Sequence, residues 1–213
     1  VEGDLAANYS FEYKEGALEI VASSDIEGYV ELTPAPVSEV YDGQTYTAGT
    51  ASATDKVNGK EVKVEYRVKA AEGQPENAWT TDPSTIKATQ VSDSVTVEVR
   101  ATCAAYSGEI VKEQELTITQ RPVKLTGYGW AESQPYTGEA YANDTFEVEA
   151  FDAEADRGIV EGHVLSDVTY EISGTEIGDY TGAFTGKGSE SVTAEGVEGD
   201  LAANYSFEYK EGA

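Results

Sequence analysis

Residues 60–69 read KEVKVEYRVK, and the fold is decided there. Val62, Val64, Tyr66 and Val68 alternate with Glu61, Lys63, Glu65 and Arg67. A strict period of two suits a strand with one apolar face for a core and one polar face for water. The same alternation returns in residues 94–100 (SVTVEVR), 145–151 (TFEVEAF), 168–172 (VTYEI) and 115–118. Val, Thr and Tyr fit a pleated, half-buried surface. No window combines an N-cap with a following 3.6 period, so helix is limited to short turns, expected near residues 34–40 or 152–157.

Turn signals separate these strands at the spacing of a sandwich: Asp42-Gly43, Asn58-Gly59, Thr137-Gly138, Gly186-Lys187-Gly188 and Glu15-Gly16. The chain therefore reads as all-β, in two tandem units each about the length of a small β-sandwich. Residues 28–119 form the first module and residues 120–213 the second, divided at Gln120-Arg121-Pro122. Proline removes a backbone donor there and suits the start of an edge strand.

The two ends carry the same text. Residues 1–17 and 197–213 both read VEGDLAANYSFEYKEGA, and the second copy begins 196 residues after the first. That spacing exceeds the 20–50 residues of a solenoid coil and is the period of a tandem array of whole domains. Residues 1–27 are then the C-terminal hairpin of a preceding repeat, with Tyr9, Phe11 and Tyr13 on one face and residues 18–21 returning. The second copy stops at Ala213, so the second module is expected to lack its final strand. The absence of methionine and the start at Val1 mark a stretch of a longer protein.

Composition narrows the class. Fourteen Lys and Arg stand against 40 Asp and Glu, a net charge of −26. Such a surface repels phosphate backbones and anionic headgroups, which excludes nucleic acid and bare membrane as partners. No stretch approaches the roughly 20 apolar residues of a membrane span. Cys103, the one cysteine, rules out an internal disulfide and thiolate metal frameworks, and reads as a small buried hydrophobe.

Several motifs line up with a known family. Residues 121–126 (RPVKLT), Tyr136-Thr137-Gly138-Glu139, residues 168–174 (VTYEISG) and Asn204-Tyr205-Ser206-Phe207 resemble the MBG-type repeats of bacterial surface adhesins. Tyr41-Asp42-Gly43, Val64-Glu65-Tyr66, Trp79 before Pro83, Ala105-Tyr106 and residues 116–119 resemble their companion repeats. The resemblance implies tandem Ig-like domains in an extracellular protein of the bacterial surface or wall, holding an adhesive tip away from the cell. It implies no enzyme. The family's name also invokes mucin. The second module has Thr137 where the family's turn has Asp.

Candidate sites follow from residue types. Tyr128, Trp130, Tyr136 and Tyr141 cluster between two strands, where exposed rings stack on glycan faces; the plainer reading has them packed under the loop and over the sandwich end. Trp79 reads as core or turn packing. Asp152, Glu154 and Asp156 stand at positions one, three and five, as in the opening of an EF-hand loop, so calcium is the one cofactor to weigh. Arg157 then falls where that loop needs Gly, and His163 where it needs Glu. His163, the only histidine, reads as a strand-end residue and not as a catalyst. Lys124 and Asn204 have the chain order of an isopeptide staple, yet Val123 and Leu125 take the core face and turn Lys124 outward. No cofactor is required. Expected partners are neighbouring repeats of the same chain, a second chain by strand exchange through residues 18–21, and host glycans or mucin.

Overall fold

A computed structural model describes residues 15–16 and 23–212. The expected hairpin of residues 8–20 lies largely outside them. The chain is all-β, as the alternation predicts.

Ten strands build the first module: β1 (Ser23–Asp25), β2 (Val30–Thr33), β3 (Val37–Val40), β4 (Tyr46–Thr47), β5 (Ser52–Asp55), β6 (Lys63–Val68), β7 (Lys87–Ala88), β8 (Val95–Thr102), β9 (Tyr106–Ser107) and β10 (Ile110–Thr119). Eight more build the second: β11 (Arg121–Gly127), β12 (Tyr141–Asn143), β13 (Phe146–Val148), β14 (His163–Ser166), β15 (Thr169–Gly174), β16 (Ala183–Thr185), β17 (Ser191–Ala194) and β18 (Tyr205–Lys210).

The main sheet of the first module runs β3-β10-β8-β6. Its inner face carries Val97, Val99, Ala101, Leu116 and Ile118, at most 1% exposed, and meets Val30, Leu32 and Ile86 from the smaller sheets and loops. Each fully buried aliphatic side chain contributes about 1.5–3 kcal/mol. In the second module β11 lies between β13 and β18. Val123 and Leu125 face inward against Tyr170, Ile172, Phe184, Val192 and Leu201.

Several expectations change. Ile26 is fully buried and β1 pairs in parallel with β9, so the first module begins no later than Ser23 and not at Gly28. Neither expected helical turn forms: residues 37–40 are β3, and Asp152 and Arg157 face each other across a tight turn. Among the described residues the short 3-10 turns lie at Ile26–Gly28, Pro83–Thr85, Val91–Asp93 and Ala202–Asn204. Pro122 does not start an edge strand. It stands in the central β11, where β13 has already ended, and its carbonyl accepts from Gly158 N–H at 2.8 Å.

The last described strand of the second module is β18. β18 runs parallel to β11 over six residue pairs, as β10 runs parallel to β3 in the first module. Among the described residues β18 is an edge of its sheet, and the expected returning strand lies outside them.

Strand directions define two poles in each module. Thr119 ends β10 and Arg121 opens β11, so the two modules meet across one residue, Gln120. The pole of the second module far from this joint holds Gly127, Gly174 and Gly182. Gly182 N–H bonds Gly212 O at 3.0 Å there.

Candidate functional site

Two places gather chemistry: a groove at the far pole of the second module, and the joint itself. At the far pole β11 ends on Gly127 because the ring of Tyr170 occupies the place of a side chain: a Cβ at Gly127 would sit 2.2 Å from it. The chain then leaves the sheet through residues 128–140 and returns in β12, while residues 175–182 bridge β15 and β16. Between these loops lies an open groove of about 900 Å³. Trp130, Tyr136, Tyr141, Ile172 and Tyr180 line it, with Ile177 on the opposite loop.

Three of the four sequence-predicted aromatics meet there. Trp130 packs edge-on against Tyr141 with centroids 6.1 Å apart, and Tyr141 Oη donates to Pro135 O at 3.0 Å. Tyr136 is 61% exposed and Ile177 88% exposed. Tyr128 goes elsewhere: its hydroxyl donates to Glu147 Oε2 at 2.6 Å, and that acceptor pushes the phenol pKa up. Tyr180 and Ile177 were missed because loop 175–181 lies some 45 residues from Trp130 and carries no strand or turn pattern of its own. The rim is acidic, with Glu132, Glu176 and Asp179 and no Lys or Arg.

The joint is built around Arg121, only 1% exposed. Its guanidinium has no carboxylate partner among the described residues. Nε donates to Gly158 O at 3.0 Å, Nη2 to Arg157 O at 2.9 Å and to Asp152 O, and Nη1 reaches Tyr41 O of the first module at 3.4 Å. The Phe151 ring lies 4.4 Å from the guanidinium carbon. A guanidinium keeps its charge, and its fork of donors matches several carbonyls at once.

The loop weighed for calcium instead turns its backbone carbonyls to Arg121. The carbonyls of Asp152, Arg157 and Gly158 point at Arg121. Asp152 Oδ1 accepts from the amides of Glu154 and Ala155 at 2.9 and 3.0 Å. Asp156 adopts φ +52°, and Gly158 φ +80° with a Cβ that would lie 1.8 Å from Ala150 O. Arg157 pairs with Glu149 at 2.6 Å. No metal-competent group of three His, Cys, Asp or Glu occurs among the described residues.

Other contacts cross the joint. Asn204, 2% exposed, accepts from Val91 N–H at 2.9 Å, and Gln120 Nε2 donates to Ala203 O at 3.0 Å. The Tyr41 ring meets Tyr205 edge-on at 5.4 Å and His163 at 6.0 Å. Tyr205 Oη lies 2.6 Å from His163 Nδ1. Burial lowers the His163 pKa and, as the largest influence, raises that of Tyr205, which favours neutral imidazole accepting from the phenol. His163 does open a strand, β14, but its ring faces the other module.

Two further sequence readings end here. Lys124 lies level with Glu208, four residues from Asn204, and Asn204 is committed to Val91, so no isopeptide pair is assembled. Trp79 is neither core nor turn packing. It lies on the outer face of the first module between Arg67 and Arg100, each 4.3 Å from a ring centroid. Beneath it Glu65 bridges Lys63 and Arg100 at 2.7 and 2.8 Å, and Glu98 holds Arg67 at 2.6 Å. The polar face read as open to water is thus partly covered, and Glu65 is 7% exposed.

No known protein family matches the chain, and no curated protein is detectably similar to it.

Proposed function

We propose that the chain is a pair of spacer modules from the stalk of an extracellular bacterial surface adhesin, with no catalytic role. The observation that carries this reading is the joint. A one-residue connection, a buried arginine reaching the other module, the Asn204–Val91 bond and the Tyr41–Tyr205 contact oppose bending between two sandwiches. A net charge of −26 keeps neighbouring stalks apart. The MBG-type motifs and the 196-residue period fit the same role.

Small-angle scattering is the test. The unaltered chain should give an elongated two-body profile with little spread in the distance between modules. Asn204→Ala combined with Tyr41→Ala should broaden that spread while each module stays folded by circular dichroism. A compact globule, or a spread indifferent to the double substitution, defeats the proposal.

The aromatic groove favours a second reading, a glycan-binding module. Exposed Tyr136 and half-buried Trp130 and Tyr141 offer ring faces to sugars. The carboxylate rim would accept hydroxyl donors and repel sialylated or sulfated mucin chains. A glycan array with the unaltered chain, repeated with Trp130→Ala, decides it: unchanged binding, or none, removes this reading.

A further inference from the structure

We propose that the aromatic groove at the far pole of the second module is the seat of the first module of the next period, so that successive periods dock end to end. The inference rests on the stalk reading and assigns its second kind of joint. Within a period, the first module ends against Arg121, Asn204 and Tyr205. Between periods, the opposite poles must face each other.

The occupant is identified by the repeat. Residues 197–213 match residues 1–17, which places Lys210 in register with Lys14. The strand equivalent to β1 then starts nine residues beyond the end of β18. Nine residues reach at most about 30 Å, so the next first module is held beside the pole at high effective concentration. The chain leaves at Gly212, packed so closely on Gly127 and Gly129 that an added Cβ would sit 2.6 Å from Gly127 O. Trp130 is the next residue along. The exit and the groove are one surface.

The surfaces also match in character. The groove exposes Tyr136, Tyr180 and Ile177, and its rim holds Glu132, Glu176 and Asp179. β1, Tyr106 and the turn after β5 form the outer pole of the first module, since Asn58 Nδ2 donates to Tyr106 Oη at 2.8 Å and β1 pairs with β9. That pole presents Val57, 59% exposed, beside Lys60, with Lys56 paired to Glu31 and Lys63 paired to Glu65. An apolar groove thus faces a tip whose most exposed large apolar side chain is Val57. Isolated large apolar side chains are ordinary on a surface. Three aromatic or branched ones around one groove at the chain exit mark a contact.

The experiment uses a chain of two periods, residues 1–213 followed by a second copy of residues 18–213. Spin labels are placed at Ser206→Cys in the first period and Val111→Cys in the second, with Cys103→Ser throughout. Electron–electron double resonance should give one narrow distance distribution. Ile177→Asp in the first period should broaden it several-fold, and the same change in the last period should leave it narrow. Ile177 is so exposed that the substitution has no core to disrupt. A broad distribution in the unaltered chain, equal effects at both positions, or equal binding of a neutral oligosaccharide by both grooves overturns the proposal. Scattering from the single-period chain tests the joint at Arg121 independently, so failure of one proposal is separable from failure of the other.

Discussion

Arg121 bears the largest single commitment. Burying a guanidinium without a counterion is costly, and the offset here comes from charge-assisted bonds to carbonyls, each worth about 1.5–3 kcal/mol. Those carbonyls belong to a turn that needs positive φ at two residues, Asp156 and Gly158. Arginine and turn therefore depend on each other. Arg121→Ala leaves the carbonyls of Asp152, Arg157 and Gly158 without their donor and should cost about 3–5 kcal/mol in a urea melt, much of a typical stability of about 5–15 kcal/mol. Arg121→Lys should recover less than half, because an ammonium has no planar fork to serve Nε and Nη positions together. Equal stability of the lysine variant and the native chain would show that charge alone suffices.

Among the elements, strand alternation was legible because a half-buried strand writes its burial into every second residue. β8 follows that pattern closely, with Val97, Val99 and Ala101 buried and Thr96, Glu98 and Arg100 less so. Where a second layer covers the outer face, the pattern misleads: β6 looked half-wet, and Trp79 closes over it. Parallel pairings such as β11 with β18 join residues about 80 positions apart and leave no local trace. The groove was legible only on the side that carries Trp130. The joint was not legible, since a buried Arg in an R-P-V motif reads like any strand residue. Turns were the best-marked elements, and the one after β5 has a stated mechanism. Burial acts to raise the Asp55 pKa, but the amides of Val57, Asn58 and Lys60 and the Tyr106 hydroxyl together hold it down to about 2. A carboxylate depressed from 3.8 to about 2 contributes stability that is full above 3.8 and lost as pH falls toward 2. Asp55→Asn should lower the melting temperature at pH 7 and flatten its decline between pH 4 and 2. An unchanged acid slope in the variant would assign that slope to other carboxylates.

At the scale of the whole molecule, two electrostatic effects oppose each other, and their magnitudes decide the sign of the salt dependence. Most ion pairs join side chains at least partly exposed, such as Lys56–Glu31 and Lys69–Glu113, and exposed pairs contribute about 0–1 kcal/mol each. Salt weakens them slightly. Against this stands the mutual repulsion of 40 carboxylates facing 14 cations, which acts over longer distances and disfavours every compact state. The Debye length falls from about 30 Å at 0.01 M salt to about 10 Å at 0.1 M. The long-range repulsion is therefore screened first, while bonded pairs near 3 Å survive. Arg121 is indifferent to salt, being buried among carbonyls. The melting temperature should accordingly rise by several degrees between 0.01 and 0.1 M sodium chloride, then level off toward 1 M. The same measurement on a charge-reduced variant, with Glu27, Glu72, Glu161 and Glu195 changed to Gln, should start higher and rise less. A melting temperature that falls with salt in both proteins would mean that the surface pairs outweigh the net charge.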